Sequence, residues 1–154
     1  MNRQLLTLID QLFARFGAIY SHKWTSTFTS DDMWALAKAE WAEGLEGFTA
    51  EIVLHGVKQA KQKCEWPPSI AEFRRLCLGI PDADTVAMRV ARGGNDQVSD
   101  TVRTLIGTWS CRRLDEGSLM AKAKALYPEA VELVSQSKLR HLHAIESDNT
   151  KGVA

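Results

Sequence analysis

Cysteine, proline and net charge are all scarce in this chain. Its three cysteines, Cys64, Cys77 and Cys111, form no C-x-x-C pair and are odd in number. That excludes a disulfide framework and points to reduced core thiols in a cytoplasmic protein. Lysine plus arginine equals aspartate plus glutamate at nineteen each, and the balance holds within each half, with nine of each sign up to Gly79 and ten from Ile80 onward. Proteins that live on a phosphate backbone usually carry a basic excess, so the composition announces no DNA binder. No apolar run approaches a membrane span, and Asp10 and Arg15 interrupt the positions a signal segment would need.

Catalytic constellations are missing as well. There is no G-x-x-x-x-G-K-[ST] and no G-x-S-x-G. His141 and His143 stand two apart, a spacing that turns them away from each other on a helix, so they do not form the i, i+4 pair of a zinc helix. No metal site and no cofactor is expected. Cys64 and Cys77 lie among apolar neighbours and read as packing residues rather than nucleophiles. Glu40, Glu43 and Glu46 read as a solvated carboxylate row. The chain reads as a binding protein, not an enzyme.

What is present centres on Trp66-Pro67-Pro68-Ser69. The two prolines end any preceding helix at Trp66. Ser69 and Glu72 have capping-box spacing, so a new helix starts there. Ile70, Phe73 and Cys77 recur at helical period, and Gly79 is placed to close the helix in a left-handed conformation. Trp66 and Phe73 are expected in the core at this corner.

Around the corner the apolar residues keep a helical period nearly throughout. From Asn2 to about Tyr20 the chain forms one amphipathic helix, with Leu5, Leu8, Ile9 and Leu12 opening its apolar face. His22 to Thr29 reads as a connecting loop, because its threonines favour extended backbone. Ser30 or Thr29 caps a helix bearing Met33, Trp34, Ala37 and Trp41, which Gly44 ends; Thr49 caps another that runs to about Lys63. After Gly79-Ile80-Pro81 a helix reaches about Arg92, and Gly93-Gly94 makes a loop. Val98, Val102, Leu105, Ile106 and Trp109 form one buried stripe, with Ser99 or Asp100 near its cap. A further helix starts near Asp115 or Ser118, Pro128 kinks it or begins a separate one, and the pattern fades beyond Val134. No strand and no fixed-period repeat is evident.

The expected fold is therefore all-α, a compact bundle of about six to seven helices, with two helical subdomains joined near Gly93-Gly94 as a variant. Residues 1–79 form an N-terminal helical part ending in the Trp-Pro-Pro corner, 80–146 a C-terminal helical part, and 147–154 a frayed tail.

Three passages carry a resemblance. A helix with Trp41, a second helix and then Trp66-Pro67-Pro68-Ser69-Ile70-Ala71-Glu72-Phe73-Arg74-Arg75-Leu76-Cys77 come first. Leu78-Gly79-Ile80-Pro81-Asp82-Ala83-Asp84 is second. The third runs from Ser99 through Trp109, Arg112 and Arg113 to Ala125. In this order they resemble the replication protein P family of lambda-type phages and prophages, over roughly Leu12 to Val134. At both ends the chain departs from the family pattern, where lambda-type members carry an initiator-binding extension and a longer tail.

The resemblance implies a non-enzymatic DNA replication protein in the cytoplasm of a bacterial host. It would bind a DnaB-type replicative helicase hexamer, restrain its ATPase and load it at an origin, with single-stranded DNA and an origin-binding initiator as further partners. A loader needs only to bind the open ring better than the closed one. Arg74, Arg75, Arg112, Arg113, Lys122 and Lys124 are the basic residues beside helix ends in the matching passages and the candidates for partner contact. Trp24 or Trp34 is the candidate exposed anchor, and Trp41, Trp66, Phe73 and Trp109 are assigned to packing. The alternatives are a small helical DNA-binding regulator, and an adaptor or inhibitor of another enzyme.

Overall fold

The computed structural model describes residues 3–151, and every regular element among them is α-helical. The chain forms two compact units that divide between Gly79 and Ile80. The Gly93-Gly94 loop is not that division; it lies inside the second unit.

The first unit holds α1 (Arg3–Tyr20), α2 (His22–Thr25), α3 (Asp31–Gly44), α4 (Ala50–Lys63) and α5 (Ile70–Leu78). Its core is aromatic. Phe13, Phe16, Trp24, Trp41 and Phe73 meet mostly edge to face, with centroids 5.0 Å apart for Phe13–Trp24 and 5.4 Å for Phe16–Phe73. That geometry sets the positive ring edge against the negative face. Burying Trp24 in this cluster draws residues 22–25 into a short helix, against the extended preference of the neighbouring threonines. Ser30 caps α3, accepting from the Met33 N–H, and Thr49 caps α4. At α5 the capping box forms in both directions, Ser69 N–H donating to Glu72 at 2.8 Å and Glu72 N–H to Ser69 at 3.2 Å. Gly79 closes α5 at φ 65°.

The second unit holds α6 (Ala83–Arg92), α7 (Gln97–Ile106), α8 (Thr108–Arg113) and α9 (Glu116–Lys151). Both α6 and α7 pack on α9, burying Val86, Val90, Val98 and Val102 against Leu119, Ala123, Ala130 and Val134. Tyr127 donates its hydroxyl to the Pro81 carbonyl at 2.6 Å, tying the entry of α6 to α9. Asp96, not Ser99 or Asp100, caps α7; Ser99 sits one turn in, fully buried, with its hydroxyl on the Asp96 carboxylate.

Pro128 does not divide α9. Its missing N–H costs one backbone bond, while apolar residues on both sides of it, Ala123, Ala130 and Val134 among them, stay buried within the one helix. The helix continues to Lys151, and the last three residues of the segment expected to fray, 152–154, lie outside the described ones. Two short helices, α2 and α8, account for the difference between the expected six or seven helices and the nine among the described residues.

Candidate partner-binding surface

Trp109 is where the expected buried stripe fails. Gly107 adopts φ 91° and ψ 143°, which ends α7 after Ile106 and restarts the chain as α8 with its phase reset. Val98 and Val102 stay in the core, Leu105 and Ile106 are half-buried, and Trp109 emerges 68% exposed. Trp109 is thus not a packing residue. Arg113, one turn on, holds its guanidinium 4.6 Å from the centre of the indole, and Arg112 stands exposed beside it.

An exposed pair of this kind contributes about 0.5–1 kcal/mol. Covering the exposed part of an indole, on the order of 100–170 Å², would contribute about 2.5–4 kcal/mol. That stabilisation is unrealised in the free protein and becomes available only when another surface covers Trp109.

Trp66, in the first unit, corrects the expectation in the same way. The prolines carry the chain outward, Pro68 is buried in its place, and Trp66 is 64% exposed. Lys23 sits 4.4 Å from its ring centre and donates to the Glu65 carbonyl at 3.0 Å. Trp41 and Phe73 are core residues as expected, whereas Trp24 is buried and Trp34 half-buried, so neither is an exposed anchor.

The basic candidates divide by what they touch. Arg74 is occupied structurally: it donates to the Gly44 carbonyl and lies 5.3 Å from the centre of the Phe48 ring. Arg75 is half-buried in the last turn of α5. Lys124 pairs with Asp84 at 2.7 Å, across the α6–α9 contact. Lys122 is exposed on α9. Only Arg112 and Arg113 stand beside an exposed aromatic side chain within one short helix. The signal for Trp109 is present in the sequence, since a glycine two residues upstream breaks any stripe that runs through it.

Among the described residues no group of three or more His, Cys, Asp or Glu side chains could hold a metal ion, and no helix is long and apolar enough to cross a membrane. Burial pushes the Cys77 thiol up to about 12, which leaves it protonated and unreactive at neutral pH. Comparison with protein-family models, curated proteins and solved structures finds no match for this chain.

Proposed function

We propose that this protein is a replication factor that binds a ring-shaped DnaB-type helicase, restrains its ATPase and assists its loading at an origin, working in a bacterial cytoplasm and performing no catalysis of its own. The single observation that supports it is Trp109 on α8, mostly exposed, capped by Arg113 and flanked by Arg112. Tryptophan and arginine are the residues most enriched at binding hot spots. Together with the ordered passages that resemble the replication protein P family, they favour a partner-binding role.

In this reading α8 is an anchor that seats its indole in a pocket on the helicase, with the two arginines meeting acidic groups around it. Several copies around a ring would add their preferences for the open form. Single-stranded DNA is the second proposed partner, because an exposed indole beside guanidinium groups also stacks on bases. No described residue singles out a surface for an origin-binding initiator.

The test is a titration of purified replicative helicase from the host with the full chain. Expected are a stable complex and lowered helicase ATPase, with Trp109→Ala weakening the complex by about 2 kcal/mol or more while costing the free chain only about 0.5–1 kcal/mol, that of its pairing with Arg113. A chain with no affinity for the helicase refutes the reading. Oligothymidylate added to the same mixtures separates DNA contact from helicase contact.

A further inference from the structure

On the first unit, α3 turns an apolar face to solvent. Met33, Ala35, Leu36 and Ala39 fall within about 160° of its circumference at helical period, and all four are exposed, Leu36 by 56%. Exposed positions of α1, by comparison, mix Leu6, Ala14 and Ala18 with Arg3, Gln4, Thr7, Asp10, Gln11 and Arg15. The two alanines let another helix approach closely, and Leu36 and Met33 provide the ridge against which it would pack.

The exposed charged residues of α3 itself are of one sign. Asp31 and Asp32 bound it at one end, Glu40 and Glu43 at the other, and all are exposed. Among the described residues the one ion pair of this helix, Lys38 with Asp10, involves none of them.

We propose that the outer face of α3 is a docking surface for a cationic amphipathic helix of a partner protein. The partner's apolar side packs on Leu36 and Met33, and its lysines or arginines meet the acidic ends. This does not rest on the helicase reading, which uses α8 and basic residues, so either can fail without the other.

The probe is a labelled peptide of leucine and lysine, about 18 residues long and patterned as an amphipathic helix, titrated with the full chain and followed by anisotropy. Expected is saturable one-to-one binding that weakens with salt. It should fall about tenfold in the double variant Met33→Ser, Leu36→Ser and about threefold in Glu40→Gln, Glu43→Gln. Leu54→Ser, at a similarly exposed leucine on α4, should bind as the unsubstituted chain does. If the serine variant melts lower, the Gln variant decides. The proposal is overturned by no binding, by equal loss in Leu54→Ser, or by equal affinity for a leucine–glutamate peptide. It is also overturned by a concentration-dependent dimer in light scattering that Leu36→Ser abolishes, which would assign the face to a second copy.

Discussion

Gly56 on α4 faces the Cys77 thiol on α5 with no room between them for a methyl group, and the Phe73 ring lies 3.1 Å from where that methyl would sit. This contact lets the two helices close over the aromatic core. Gly56→Ala is expected to destabilise the first unit by about 1–3 kcal/mol through overpacking, despite alanine's better helix propensity. The measurement is the urea midpoint. Alkylation under native conditions should reach half-buried Cys64 and Cys111 well before Cys77.

Three unfavourable features gather at the α1–α2 junction. Ser21 holds φ 52° and ψ −127°, a region that favours glycine, and the Tyr20 hydroxyl and Trp24 indole N–H are buried without hydrogen-bond partners among the described residues. Ser21→Gly relieves strain of about 1–3 kcal/mol and loses about 0.5–1 kcal/mol to chain entropy, so a net gain of about 1 kcal/mol is expected. Tyr20→Phe removes a hydroxyl that bonds to nothing and should also gain about 1 kcal/mol. Both are read from denaturant midpoints. Loss of stability in both would refute this account of the junction.

Arg103 pins the Gly93-Gly94 turn, donating to the carbonyls of Arg89 at 2.6 Å and Gly94 at 2.7 Å and to Asp100 at 2.9 Å. Arg103→Ala should cost about 1.5–3 kcal/mol, with faster amide exchange between Gly93 and Asp96. Lysine should rescue it only in part, because a single ammonium does not reproduce the guanidinium fork.

The two units should respond differently to acid. Helix starts in the first unit are capped by the hydroxyls of Ser30, Thr49 and Ser69. In the second they are capped by Asp82 and Asp96, and Asp115 accepts from Ser118 at the start of α9. Hydrogen bonds from Thr85 hold Asp82 below the ordinary carboxylate value. At Asp96 burial pushes upward, but bonds from Ser99 and Arg89 outweigh it, and Asp115 is held down by Ser118. A depressed carboxylate contributes stability that is present above the unfolded value, near 3.8, and is lost as pH falls through the lower folded value. Below about pH 4 amide signals of the second unit should therefore weaken before those of the first. Equal loss in both units would contradict the assignment.

Legibility in the sequence follows the range of the interaction. The corner at Pro67-Pro68, the Ser69–Glu72 box and the Gly79 stop are all readable, as are the cap at Thr49 and the all-helical class, because each depends on atoms within about four residues, whereas at α3 the pattern leaves Ser30 and Thr29 both open. Asp96 is not distinguished from Ser99 and Asp100 as the cap of α7, a shift of a few positions that local pattern does not resolve. Arg74 looks like a free cation in the sequence, but Gly44 and Phe48, which hold it, are distant along the chain.

The sequence by itself determined where α1, α4 and α5 begin and end, since backbone hydrogen bonds, glycine and proline act locally. Only the tertiary structure decided that Trp24 lies inside and Trp66 outside. Trp24 is drawn into a core made by α1, α3 and α5, while Trp66 and Trp109 are carried outward by the prolines and by Gly107. An indole is apolar enough for either place, and its burial depends on whether distant elements bring partners to cover it.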